Sequence, residues 1–297
     1  MERVNVMINL DHCDLTEDQA VTVVTAAASS DQLRGLQLSG NVLTHIEPEL
    51  LGRCVSKLEL LSVSLAQLSQ LQVRQIVSSM ASSCCSIKDL DISYNDLSQA
   101  DPVSLASAVN SLERAVLHHT QLSEYQAVKI LKHVIAGTKL KHLDIGGDLR
   151  TIQPEIIAQS FNKLQSITIH TETMILSKKA ELEMFKQMGE GTCLRKMDLR
   201  CRDLSRIPAG DIARAVNNLT EVNLMESKMT DNQILRIFTR MGQKTCLRYL
   251  DIRECDIRSV PKDIYGLAKC HFILNDFDRH LNNRIVKERI FGNYKMI

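Results

Sequence analysis

A short apolar motif recurs along this chain at a spacing that few folds can absorb. Leu-x-x-Leu-x-Leu, with other apolar residues standing in for Leu, starts at Leu33, Leu58, Ile87, Leu112, Leu140, Leu164, Leu194, Leu219 and Leu247. The intervals run 25, 29, 25, 28, 24, 30, 25 and 28 residues, so successive pairs span 53 or 54 and the true unit is a doublet. A partial copy precedes them at Ile8, Leu10 and Leu15. Such a period exceeds one helix or strand and falls short of a domain. Each copy is one supersecondary unit, and units must stack to bury their apolar faces.

The two halves of the doublet start their helices differently. The short half runs from its strand to a Pro and then an apolar helical stretch, at Pro48, Pro102, Pro154, Pro208 and Pro261, which accounts for all five Pro of the chain. Pro lacks an N–H and fixes φ, so it is tolerated only in the first turn, where that donor has no helical partner. The long half opens with a hydroxyl followed three residues later by Gln, as in Thr16 with Gln19, Ser123 with Gln126 and Thr230 with Gln233. That pairing is a capping box. Apolar residues then fall at helical spacing, as at Ile234, Leu235, Phe238 and Met241. The sequence predicts strand, turn and helix in each repeat.

Composition agrees with a regular aliphatic core, since 44% of residues are hydrophobic, only 4% aromatic and none is Trp. Parallel strands on the inside and wider helices on the outside predict an α/β curved horseshoe. The expectation is one solenoid domain over residues 1–269, followed by an irregular cap and basic tail over 270–297. The first strand, at Ile8 and Leu10, leaves an exposed edge, which calls for a covering partner or a longer gene product.

This pattern resembles the leucine-rich repeat family, specifically the ribonuclease-inhibitor-like class with full helices on the convex side. Leu38-Ser39-Gly40-Asn41 with Pro48-Glu49-Leu50-Leu51, followed by hydroxyl-capped helices, is also similar to repeat arrays of animal innate immune receptors. The resemblance implies that a polar residue three places after the last strand Leu bonds backbone groups in the turn. Cys13, Asn41, Asn95, Thr120, Ser227 and Cys255 stand there, whereas Ala66, Asp148, Glu172 and Arg202 depart from the pattern.

No chemistry is legible beyond this frame. The sequence has no phosphate-binding Gly-Lys loop, no nucleophile elbow and no His-Glu-x-x-His helix, so neither enzyme activity nor a cofactor nor a small-molecule substrate is expected. His118, His142 and His170 lie on successive strands, but strands ~4.8 Å apart put the outer two roughly 10 Å apart at the backbone, too far for one ion. They read as solvated polar positions. Cys84 and Cys85 sit in the corner that Cys193 and Cys246 occupy in other repeats, which makes them packing residues. The nine Cys read as free thiols, no secretory signal is evident near Glu2 and Arg3, and no apolar run reaches the ~18 residues of a membrane span. Cytoplasm or nucleus is the expected compartment.

Charge is balanced overall, 36 basic against 35 acidic residues, which argues against a general polyanion binder. Residues 1–150 hold 12 basic and 17 acidic residues, and 151–297 hold 24 and 18. The tail from Arg279 to Lys295 is basic but carries no aromatic platform, so nucleic acid is not expected. The expected ligand is a protein, held on the outward side chains of the strands. Alternation places Lys196, Asp198, Arg200, Glu221, Asn223, Met225, Tyr249, Asp251 and Arg253 on one face, where Arg, Tyr and Met suit an interface. Early strands offer small neutral residues such as Gly35, Gln37 and Ser39. The implied role is a recognition or sensing scaffold. A GTPase activator using Arg200, Arg202 or Arg253, and a ubiquitin-ligase substrate receptor, are the alternatives.

Overall fold

The computed structural model describes residues 6–81, 85–169, 174–189 and 192–256, together with the backbone of 271–273. Its strands are β1 (Val6–Asn9), β2 (Leu33–Gln37), β3 (Leu60–Ser62), β4 (Asp89–Asp91), β5 (Arg114–Leu117), β6 (His142–Ile145), β7 (Gly147–Asp148), β8 (Ser166–Thr168), β9 (Met174–Ile175), β10 (Lys196–Asp198), β11 (Glu221–Asn223), β12 (Tyr249–Asp251) and β13 (His271–Ile273). The helices are α1 (Glu17–Ser29), α2 (Pro48–Lys57), α3 (Gln70–Met80), α4 (Pro102–Ser111), α5 (Glu124–Ala136), α6 (Pro154–Lys163), α7 (Lys178–Gln187), α8 (Ala209–Asn218) and α9 (Asp231–Gln243). Strand and helix alternate as the repeat predicts, and the fold is an α/β leucine-rich-repeat solenoid. The chain divides into two compact units: Met1–Ser160 with Thr173–Leu176, and Phe161–Glu172 with Ser177–Ile297. Apart from the backbone of β13, the predicted cap and basic tail lie outside the described residues, as do Cys84, His170 and Glu172.

In the first unit β1 to β6 pair in parallel, each with the next. The register aligns Leu36, Leu61, Leu90, Ala115 and Leu143 in one row, and each is at most 3% exposed. The second unit repeats the arrangement, with Ile167, Met197, Val222 and Leu250 in register on β8, β10, β11 and β12. Burying each such side chain contributes about 1.5–3 kcal/mol, and no single repeat can enclose its own row. Strand β1 is the edge of its sheet, with Val6, Met7 and Ile8 exposed. A Cβ at Gly35 would meet only the far end of the flexible, exposed Met7 side chain.

The exits of β1–β6 and β10–β12 each turn through a left-handed residue at the same repeat position. In the first unit these are His12 (φ 53°), Gly40 (73°), Leu65 (54°), Tyr94 (57°), His119 (54°) and Gly147 (116°). In the second they are Cys201, Glu226 and Glu254, each at 59°. Gly adopts this conformation without cost, whereas a bulky side chain is strained there.

The turn is then tied to its neighbour by the polar residue that follows. Asn41 donates Nδ2 to the carbonyls of Leu10 (2.8 Å) and Leu38 (3.0 Å) while its Oδ1 accepts from the Leu15 amide (3.1 Å). Asn95 does the same with Val63, Ile92 and Leu68. Ser227 and Cys255 donate to Leu199 and Leu224 of the preceding repeats. Thr120 reaches only Leu117 of its own turn, and exposed Cys13 reaches only Asp11. Of the departures, Arg202 is only 8% exposed and pairs with Glu181.

The capping-box Gln does more than cap. Gln72, Gln126 and Gln233 are each 1% exposed. Besides closing the box at Ser69, Ser123 and Thr230, each Nε2 reaches back into the previous turn. Gln72 donates to Leu43 (2.7 Å) and Ile46 (2.6 Å), Gln126 to Leu97 (2.9 Å) and Ala100 (2.8 Å), and Gln233 to Leu204 (2.8 Å) and Ile207 (2.6 Å). The carbonyls of Leu43, Leu97 and Leu204 also accept from the amides of Ile46, Ala100 and Ile207, whereas the carbonyls of Ile46, Ala100 and Ile207 receive their donor from the Gln. A buried carbonyl without a donor costs about 1–3 kcal/mol, so each Gln relieves one such cost and fastens the two halves of a doublet. In keeping with this, α2 with α3, α4 with α5, and α8 with α9 pack more extensively than α3 with α4 or α7 with α8.

Candidate protein-binding face

The outward side chains of the second unit are ordered by ion pairs rather than splayed into solvent. Lys196 on β10 pairs with Glu221 on β11 at 2.8 Å. At the strand exits an acidic residue is followed two places on by Arg. Asp198 Oδ1 accepts from the Arg200 amide (3.1 Å) and both its oxygens accept from Arg200 Nε (3.0 Å each). Asp251 repeats this with Arg253, adding an Nη2 contact of 2.7 Å. Asn223 accepts from the Met225 amide at 3.1 Å.

These bonds give Asp198, Asn223 and Asp251 a local task, since each supplies an acceptor to an amide at the turn. Asp251 is only 2% exposed, so its charge is held by Arg253 rather than offered to a partner. Arg200 and Arg253 keep 40% and 44% of their side chains in solvent and present fixed guanidinium planes.

Part of the predicted set encloses a shallow depression of about 160 Å³ on this face. Lys196, Asp198, Glu221, Asn223 and Tyr249 line it, with Ser166 and Thr168, which sequence reading did not single out. Arg200, Met225, Asp251 and Arg253 lie outside its lining. The depression has the size of one or two side chains, not of a metabolite. Arg202, named for GTPase activation, is removed from that role by its burial against Glu181.

The face of the first unit departs from the sequence expectation of small neutral residues. Ser39, Ser62 and Ser93 are buried, the first two joined Oγ to Oγ at 2.6 Å. Beside them stands an aromatic cluster. Tyr94 stacks on His119 with centroids 4.3 Å apart and 23° between planes, and meets His118 edge-on at 5.1 Å and 89°. His118 is not a solvated polar position, since its Nδ1 lies 3.0 Å from Asp144 Oδ2 and its side chain is 19% exposed. The hydrogen bond to Asp144 raises the pKa of His118 above its ordinary value, against the opposing effect of burial. Asp144 and His118 fall at outward positions of the strand alternation, but Tyr94 and His119 lie one residue beyond its last outward position.

Among the described residues no group of three His, Cys, Asp or Glu is arranged to hold a metal ion, and no helix is long and apolar enough to cross a membrane. The described cysteines Cys13, Cys54, Cys85, Cys193, Cys201, Cys246 and Cys255 are all free. Burial pushes the Cys54 thiol up to about 12 and Cys255 up to about 11, which leaves both protonated and unreactive.

No family model and no curated protein matches the chain. A chain in the crystal structure of a Rad7 and Elc1 complex in yeast is similar in structure, with a TM-score of 0.61 at 13% identity. The match covers 89% of this chain and 66% of that one, so this chain spans just under two thirds of it. At that identity the likeness concerns the fold.

Proposed function

We propose that this protein is a non-enzymatic recognition module that holds a protein partner on the strand face of its second unit, as a sensing or regulatory scaffold. The depression between β8, β10, β11 and β12 carries this reading. It is shallow, lined by Tyr249 together with Lys196 and Glu221, and suited to side-chain insertion rather than enclosure of a substrate. The similar fold found in the Rad7 and Elc1 complex supports a protein ligand in kind. It also keeps a place for the substrate-receptor alternative. GTPase activation is weaker, because Arg202 is spent internally and Arg200 and Arg253 are each committed to an Asp. Free described thiols suit a reducing compartment, cytoplasm or nucleus.

The test begins with a partner captured from lysate and purified. Arg200→Ala, Tyr249→Ala and Arg253→Ala are then compared with Arg236→Ala, an exposed position on α9. Hot-spot truncation costs about 2 kcal/mol, so at least one face variant weakens binding roughly thirtyfold. Normal binding by all three, with loss in the α9 variant, transfers recognition to the helices.

A further inference from the structure

We propose a second docking site, on the strand-entry edge of the second unit: Arg195 and Arg248, on either side of Thr220, receive a carboxylate from an acidic segment of a partner protein. The inference comes from a row of residues that the repeat builds in both units and charges differently.

The residue at the entry of each strand donates its amide to the carbonyl of its counterpart in the preceding repeat. In the first unit the row runs Arg34, Glu59, Lys88, Glu113 and Lys141, with successive bonds of 2.7, 2.8, 2.8 and 2.8 Å. In the second it runs Gln165, Arg195, Thr220 and Arg248, with bonds of 2.7, 2.7 and 2.8 Å. The backbone is the same, so the side chains can be compared place by place.

The first row alternates in sign. Glu59 stands between two cations, 2.7 Å from Lys88 Nζ and 3.8 Å from Arg34 Nε, and Glu113 takes Lys141 at 2.5 Å. The second row keeps the cations and lacks the acids, with Gln165 and Thr220 at the phase of Glu59 and Glu113. Thr220 donates its hydroxyl to the Arg195 carbonyl at 2.9 Å. Arg195 donates Nη1 to the carbonyls of Thr192 (2.8 Å) and Leu194 (2.9 Å), neither of which carries a charge. Arg248 is exposed, and among the described residues its guanidinium has no hydrogen-bond or ion-pair partner. The acid next in sequence to Thr220 is Glu221, which Lys196 already holds.

Strands lie about 4.8 Å apart, so Arg195 and Arg248 leave the backbone roughly 10 Å apart, with only the short Thr220 side chain between them. Arg34 and Lys88 are spaced in the same way around Glu59. Two long side chains can close on one carboxylate from opposite sides, and each guanidinium fork offers it paired N–H donors. Without that carboxylate, two like charges face one gap. A protein acid fits better than a nucleic-acid phosphate, since a carboxylate fills this gap in the first unit and no aromatic ring stands in the row for a base to stack on.

None of the three residues lines the depression on the strand face, so the site does not rest on the function proposed above. The probe is a fluorescein-labelled deca-glutamate peptide titrated against the full chain at pH 7.5 and low salt, with a glycine–serine peptide of equal length as the uncharged control. Arg195→Gln and Arg248→Gln each change an exposed side chain. Thr220→Glu places a resident carboxylate in the gap, as Glu59 does in the first unit. Circular dichroism melting verifies that each variant folds. The expected results are binding of deca-glutamate but not of the control, a loss of about three- to fivefold in each Arg variant, on the scale of an exposed charge pair, and a larger loss in Thr220→Glu. Absence of binding overturns the site, as does unchanged binding in Arg248→Gln or in folded Thr220→Glu. Loss in Arg284→Gln, in the basic tail, without loss in Arg248→Gln assigns the peptide to the tail and also overturns it. Tighter, Arg248-dependent binding of a labelled oligothymidylate overturns the choice of a protein ligand.

Discussion

The strand faces of the two units share one backbone plan and solve the same local problem with different chemistry. At several exits of both units a side-chain acceptor serves the amide two residues on. In the second unit Asp198 and Asp251 do so and draw Arg200 and Arg253 over themselves, giving a face of fixed, neutralised charge. In the first unit Asp91 does so for Ser93, a residue too short to neutralise it, and the rings of Tyr94, His118 and His119 pack together at the β4 and β5 exits. A conserved acceptor in a repeat therefore says little about the surface around it. The residue two positions later decides whether that surface is an ion-pair rim or an acidic, aromatic ledge.

The largest expected effect tests whether the frame beneath the two faces is the same. Gln126→Ala and Gln233→Ala each strip the donor from one buried carbonyl, Ala100 or Ile207, and open a capping box, and should each lower stability by about 2–4 kcal/mol in urea denaturation. Unequal losses would mean that the two units do not share one frame, and the comparison of their faces would lose its basis. An intermediate effect separates the faces. Asp251→Ala removes a carboxylate that serves the Arg253 amide and guanidinium, and should cost about 2 kcal/mol; Asp91→Ala, serving a Ser, should cost about 1 kcal/mol. Equal costs would break the distinction drawn here.

The smallest effect is a pH dependence confined to the first unit. His118 has its folded pKa raised by Asp144, with Asp91 adding to the effect. Its contribution is therefore complete below the unfolded value near 6.5 and is lost as pH rises through the higher folded value. Stability should decline by about half a kcal/mol from pH 6 to 8, on the scale of a partly exposed pair. The decline should vanish in His118→Asn. NMR titration of the His118 ring gives the folded value directly.

The repeat frame was legible in the sequence because its determinants are periodic: apolar positions, helix-starting Pro and capping hydroxyls all recur in phase. The polar turn residues were legible where they are Asn, which carries both donor and acceptor, and less so at Thr120 and Cys13, whose short side chains bond within their own turn. The second role of Gln126 and Gln233 was hidden, since a capping box looks the same whether or not its amide also reaches the preceding turn. The candidate face was legible as a list of outward positions. Which of those positions are occupied internally was not, because that depends on neighbours such as Arg253 beside Asp251. Tyr94 and His119 escaped because strand alternation ends one residue before them.

The Gln clamp fixes how such a chain can be cut and rejoined. Each clamp joins a Pro-started half to the hydroxyl-capped half that follows it, and the helices pack more thinly from α3 to α4 and from α7 to α8. Those thinner joints are the natural splice points. A graft that begins just after α3 imports whole fastened pairs, whereas one that begins between α2 and α3 delivers a Gln whose receiving carbonyls belong to another sequence.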